Sequence, residues 1–285
     1  MKQYTRRGAL KLFGIGAVAV AGLGLAGCNG AGDGAGDGAG ASEAPSESMG
    51  ASQAFAQQGV WLQCRSDDFP QKDTTVSAVL VFDGSGNVTC YETDSVAMNG
   101  GTSYKSLTFG DLDGLSNDEI AELAAQKNHE RFDATKQSAI DETTESLEYY
   151  EQDAGFYQDD IANATEGQKI NEAAEYEEPE AVPYSLAVET DGTGNNTQSE
   201  TLSFDSKTLN AGYFYSGSAI GSAPDSVLDG ALYEEKEVSI ELKVTGTQTV
   251  YDTLFGGYTG LYTVVDGWDS IYELDAPDTE GIEVD

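Results

Sequence analysis

The apolar positions of this chain fall into two rhythms that alternate along its length. Val60, Trp61 and Leu62 mark a strand over Gly59–Gln63. Ser77–Phe82 is a continuous apolar run, followed by Asp83-Gly84-Ser85-Gly86-Asn87 and then by Val88–Glu92. Two extended runs closed by Gly, Asp and Asn predict a β-hairpin. The same turn chemistry recurs where Tyr184–Val188 leads into Asp191-Gly192-Thr193-Gly194-Asn195-Asn196-Thr197 and Ser199–Phe204 returns. A distant internal duplication and convergent turn chemistry both explain the repeat. Convergence needs less, because Gly and Asn supply positive φ wherever a hairpin closes. In the C-terminal third, Val238–Val244 alternates apolar with Ser, Glu and Lys, the pattern of a half-buried strand. Thr249–Leu254, Leu261–Val265 and Ser270–Leu274 continue it, broken by Gly256-Gly257 and Gly267.

Between the two hairpins the period lengthens. Ser116-Asn117-Asp118-Glu119 has the form of a capping box, and Ile120, Leu123, Ala124 and Lys127 follow at helical spacing, predicting a helix to about Phe132. Ala139, Ile140, Thr143, Leu147 and Tyr150 mark one face of a further amphipathic stretch, making a helix or helix pair that covers one side of a sheet. Glu166–Pro183, acidic and carrying two prolines, reads as a loop. Strands, then helices, then strands predict an α+β fold: an antiparallel β-rich domain with one or two amphipathic helices inserted between strand groups. About 225 residues from Gly59 to Asp285 suffice for one domain or for two subdomains, 59–165 and 180–285.

The N-terminus departs from both rhythms. Lys2, Arg6, Arg7 and Lys11 are basic, Leu12–Leu25 is apolar and rich in glycine, and Leu25-Ala26-Gly27-Cys28 follows. This order is that of a secretory leader, residues 1–27, and the apolar run falls short of the about 20 residues that cross a bilayer. The Leu-Ala-Gly-Cys sequence resembles the lipobox of bacterial lipoproteins. That resemblance implies cleavage before Cys28, acylation of its thiol, and a protein held to the outer face of the cell membrane. Thr5-Arg6-Arg7-Gly8-Ala9-Leu10-Lys11 resembles the twin-arginine export signal, with Ala9 departing from the larger apolar residue usual there. It implies that Arg6 and Arg7 are read by a receptor; the general export route is the alternative. Residues 28–58 then change to Gly, Ala, Asp and Ser, with little to bury. A flexible tether with an r.m.s. span of roughly 30 Å is expected.

Charge narrows the partners. With 14 basic and 50 acidic residues the formal charge is −36, and loss of the leader takes it to about −40. Phosphate backbones are bound by Lys and Arg, so nucleic acid is excluded as a partner. A cationic, glycan or peptide partner remains, besides the membrane reached through the lipid on Cys28. Two cysteines follow Cys28. Outside the cytoplasm Cys64 and Cys90 fit a disulfide closing about 25 residues, contributing about 3–4 kcal/mol; two buried thiols are the alternative.

The single histidine, His129, lies in a charged helical stretch and reads as a surface residue, which excludes a catalytic triad or multi-histidine metal site within one chain. Calcium is the one cofactor with a candidate set: Glu189, Asp191, Thr193 and Glu200 stand at positions 1, 3, 5 and 12 of an EF-hand-like spacing, although Glu replaces Asp at position 1 and the flanks are strands. Ordinary hairpin turns explain the same residues. Tyr251, Phe255, Tyr258, Tyr262, Trp268 and Tyr272 form either core or an aromatic platform, with alternation favouring core. The expected function is a membrane-anchored surface binding or interaction module. Alternatives are a carboxylate-based hydrolase of glycans and a structural accessory protein of the envelope.

Overall fold

The computed structural model describes residues 48–65, 68–95, 104–215, 231–268 and 271–284. Cys28, Arg6 and Arg7 lie outside the described residues. The architecture is α+β and dominated by antiparallel strands, as the alternation of periods predicts.

One sheet runs in the order β7-β6-β5-β4-β3-β2-β10-β9-β8. Its strands are β2 (Gln58–Gln63), β3 (Ala78–Asp83), β4 (Asn87–Glu92), β5 (Val182–Thr190), β6 (Thr197–Leu209), β7 (Tyr233–Leu242), β8 (Val244–Val250), β9 (Thr253–Tyr258) and β10 (Leu261–Val264). A short β12 (Glu283–Val284) adds parallel to β5 at Ala187 and Val188. The two strand groups therefore share one sheet instead of making separate subdomains, and all described residues fall within one compact unit, Pro45–Asp285. The join is narrow. β4 meets β5 only at Asn87↔Pro183 and Val88↔Val182.

Both faces of the central strands are covered, which is why their sequences are apolar without alternation. Trp61, Leu80, Phe82, Val88 and Cys90 point into one core with Phe55, Leu202, Phe204 and Tyr258. Val60, Leu62, Cys64 and Val79 point into the other, with Phe109, Leu112, Ile120 and Ala124. On the outer β6–β7 pair the second face is wet, and the polar-apolar alternation of Val238–Leu242 returns.

The helical layer is α2 (Asn117–Glu151) and α3 (Gln158–Ala173). Ser116 accepts the Glu119 N–H while the Glu119 carboxylate takes the Ser116 N–H, so the capping box forms as read. The two helical stretches are one helix: nothing between Phe132 and Ala139 is Gly or Pro, and 35 residues carry it about 52 Å. Among the described residues no helix is long and apolar enough to cross a membrane.

Helix α3 corrects the expected loop at 166–183, of which only the part after Ala173 is extended. Its amphipathic signal is weak because its buried positions are Ala164, Gly167 and Asn171. Those small or polar residues suit the Tyr215 segment packed on it. Asn171 Nδ2 donates to Tyr215 O (2.7 Å), and Tyr215 N–H donates to Asn171 Oδ1 (2.9 Å). A Cβ at Gly167 would lie 2.1 Å from the Tyr215 ring.

Three further expectations are corrected. The chain enters the fold at Met49, not at Gly59, so residues 49–58 do not belong to the expected tether. β1 (Met49–Gly50) pairs in parallel with β11 (Tyr272–Glu273), and α1 (Ala51–Phe55) buries Ala51, Ala54 and Phe55. Phe55 fills a space that a purely polar tether would leave empty. Its ring lies 4.8 Å from both Trp61 and Phe82. The run Thr249–Leu254 is a hairpin tip instead of a strand: β8 turns into β9 at Tyr251, whose φ is +52°.

Cys64 and Cys90 form no disulfide. Cys90 sits opposite Leu80, which sits opposite Trp61, so two inter-strand spacings separate the β4 and β2 backbones, roughly 10 Å. The two thiols also belong to cores on opposite faces of the sheet. Bonding requires Cα atoms within about 7 Å and Cβ vectors that meet. Strand parity decides the matter, and spacing in sequence carries no information about it.

Candidate functional site

One concave feature follows from the narrow join in the sheet. Beyond Val88↔Val182 the chain leaves its place between β4 and β6: Pro179 precedes β5 and Pro183 is its second residue, and neither donates a backbone hydrogen bond to a ladder. Residues 174–181 fill the resulting fork from one side, and α2 closes it from below. There Arg131, only 7 % exposed, bonds the Glu92 carboxylate (3.0 Å) and the Asp94 carbonyl (2.9 Å). Asn128 Nδ2 donates to Glu92 O, and Tyr176 O–H donates to Asn128 Oδ1. Burial pushes the Glu92 carboxyl up, and the Arg131 guanidinium opposes that shift. Lys207 pairs with Glu177 and lies 5.5 Å from the Tyr233 ring centroid.

Above this floor a cavity of about 170 Å³ is lined by Cys90, Pro179, Glu180, Val182, Asp205, Ser206, Lys207 and Glu235. Cys90 is buried in its wall, and burial pushes the thiol up to about 12, so it is no nucleophile. Glu180, Asp205 and Glu235 stand exposed at the rim, and no hydrogen bond or ion pair among the described residues engages their carboxylates. The rim is acidic and its floor partly apolar. That combination can hold an ammonium or guanidinium while covering an aliphatic stem.

The calcium set does not assemble. Asp191 closes its own turn: it accepts the Thr193 N–H (2.9 Å), the Thr193 hydroxyl (2.6 Å) and Asn196 Nδ2 (2.8 Å), and these bonds hold its carboxyl well below the usual range. Glu189 is exposed and accepts the Ser199 hydroxyl. Glu200 is fully buried on the opposite face of the hairpin, level with Val188. The EF-hand-like spacing needs a curled loop, whereas a strand sends alternate residues to opposite sides. Asp83 makes the same self-contained turn with Ser85 and Asn87. Its slight burial pulls the carboxyl up, but their hydrogen bonds outweigh this and hold it down at about 2.

Glu200 is the residue that the EF-hand-like spacing assigned to the wrong place. Its Oε2 accepts the Asp275 N–H (2.8 Å), and its buried Oε1 has no partner. Burial pushes this carboxyl up to about 8, the Asp275 N–H opposes the shift, and the adjacent Asp275 carboxylate adds to it. Asp275, itself 5 % exposed, accepts the Ser52 N–H (2.6 Å) and hydroxyl (2.8 Å). These two carboxyls are in contact within the core, out of reach of a sugar and without the room that either glycosidase geometry needs between its acids.

No family model, curated protein or solved structure matches this chain.

The other candidates fall into place as structure. His129 is exposed and stacks on Tyr176 with centroids 4.1 Å apart. Phe255, Tyr258 and Tyr262 are core and Tyr272 packs against it, while Tyr251 and Trp268 are exposed. The fork itself left two traces in the sequence: the prolines of the acidic run 175–183, and Arg131, a cation inside the periodic face of a helix.

Proposed function

We propose that this protein is an extracytoplasmic lipoprotein, held to the outer face of the cell membrane through acyl chains on Cys28, and that its globular part is an interaction module that takes a basic peptide segment of a partner in the β4–β6 fork. The observation that carries the binding reading is the preformed cavity whose rim carboxylates, Glu180, Asp205 and Glu235, are exposed and make no hydrogen bond or ion pair among the described residues, although Lys207 stands near Glu180. A lysine or arginine reaching into it lays its stem along Val182 and Pro179 and its charge among the three acids. The formal charge of −36 steers such a partner inward. The leader-like residues 1–27 and the Leu-Ala-Gly-Cys sequence support the anchorage.

Two measurements test the reading. Cells expressing the full chain and fed labelled palmitate should yield a labelled, membrane-bound protein, and Cys28→Ser should lose both label and membrane association; a labelled Cys28→Ser protein contradicts the anchor. An oligolysine peptide should bind the protein in low salt, and the triple variant E180Q/D205N/E235Q should weaken binding about tenfold. Equal affinity of the variant, or equal binding of an oligoglutamate control, removes the fork as the site.

A further inference from the structure

The segment that leads from the tether into the domain is fastened by an unusual clasp. Met49–Ala56 lies over a groove floored by Trp61, Phe82, Tyr184 and Tyr258, and fills it with Phe55. Besides the β1–β11 backbone pairing, it is fastened at Asp275, whose carboxylate takes both the Ser52 N–H and the Ser52 hydroxyl. Gly50 makes that approach possible: a Cβ there would lie 2.4 Å from Asp275 Oδ1. Asp275 is held in turn by Thr197 Oγ1, which donates to its carbonyl (2.5 Å), and by Glu200, which takes its N–H. The clasp therefore runs back to the buried Glu200 carboxyl, whose Oε1 receives no donor among the described residues and which, when protonated, can bond the Asp275 carboxylate.

Among the described residues, the groups around Glu200 supply no compensating cation. Val188 of β5 and Leu242 of β7 flank it, and Ser52 of α1 faces Asp275. The titratable groups nearby are Asp275, Tyr258 of β9 and Tyr272 and Glu273 of β11, which are all acids, and the Tyr258 hydroxyl is committed to the Glu273 carbonyl. Lys243, next along from Leu242, is exposed and pairs with Glu241. A neutral Glu200 acid is tolerable in this setting. A second carboxylate beside Asp275 is not.

We propose that Met49–Ala56 is a proton-controlled strap: while Glu200 keeps its proton the strap stays docked and the aromatic groove closed, and ionisation of Glu200 beside Asp275 releases the strap and opens the groove. The sign follows from linkage. In the docked state burial and the neighbouring Asp275 carboxylate hold Glu200 at about 8, above the ordinary carboxyl value of 4.5, and release, by opening its surroundings to solvent, is expected to return it toward that lower value. Docking is strongest below the lower value, weakens as pH rises between the two by up to tenfold per unit, and levels off above the upper one.

The test uses the full chain and amide hydrogen exchange at Ser52 and Ala56, corrected for the intrinsic pH dependence of exchange, with Val79–Val81 of β3 as reference. Protection of the strap amides should fall about tenfold per pH unit from about pH 5 to about pH 8, then level. At every pH it should be lower than protection of the β3 amides, because the strap opens without the sheet. Glu200→Gln, which keeps the shape without the ionisation, should remove the slope. Ser52→Ala should lower protection throughout and keep the slope. A flat profile in the unmodified protein, a slope surviving in Glu200→Gln, or strap and sheet amides opening with equal protection would each overturn the proposal.

Discussion

Asp83 and Asp191 at the hairpin tips and Glu200 under the strap carry the same functional group in opposite circumstances. Each tip carboxylate sits in water and gathers donors from its own turn: the N–H and hydroxyl of the residue two places on, and an Asn side chain. Both are held down, Asp83 to about 2. Glu200 is fully buried with one backbone donor and an acidic neighbour, and is pushed up to about 8. Local donors stabilise charge, and burial without them expels it. Among 50 acidic residues, Glu200 stands apart because burial pushes its ionisation up to about 8.

That contrast breaks most sharply at Asp275. Asp275→Ala strips Ser52 of its acceptor and should destabilise the protein by about 2–4 kcal/mol at pH 6, measured by urea denaturation. Gly50→Ala, which drives a methyl into the same carboxylate, should cost about 1–2 kcal/mol and lower the protection of the Ser52 amide. Asp83→Ala should cost only about 0.5 kcal/mol, since its bonds are solvent-screened. The pH dependence should have opposite signs. Asp83 is depressed, so its contribution is present above the unfolded value of 3.8 and fades as pH falls through about 2. Glu200 is raised, so its contribution is full below 4.5 and is lost as pH rises to about 8. An Asp83→Ala effect as large as that of Asp275→Ala would erase the distinction between the two regions.

The parts of this fold written in local pattern were legible. The hairpin turns, the capping box at Ser116 and the α+β class follow from turn residues, caps and period, because each is decided within a few neighbouring residues. What depended on strand parity or on distant partners was not legible. Cys64 and Cys90 look paired until the register sets them on opposite faces. Glu189 and Glu200 look like one ligand set until the same alternation separates them. Helix α3 hid because its contacts are made by Gly167 and Asn171 against Tyr215, without an apolar stripe. The strap hid for a similar reason: one aromatic, Phe55, in a polar run docks only because Trp61 and Phe82 wait elsewhere in the chain. The fork was half visible, in Pro179, Pro183 and Arg131, but its cavity needed β6 to supply Asp205, Ser206 and Lys207.

The most direct measurement is a carboxyl ¹³C NMR titration of the full chain, with Glu200 assigned through the Glu200→Gln variant. The account predicts that the Glu200 signal stays in its protonated position through neutral pH and moves with a midpoint near pH 8, while Asp83 moves near pH 2. A Glu200 midpoint near its ordinary value of 4.5 would mean that the buried acid ionises freely beside Asp275, and would contradict both the contrast between the two regions and the strap built on it.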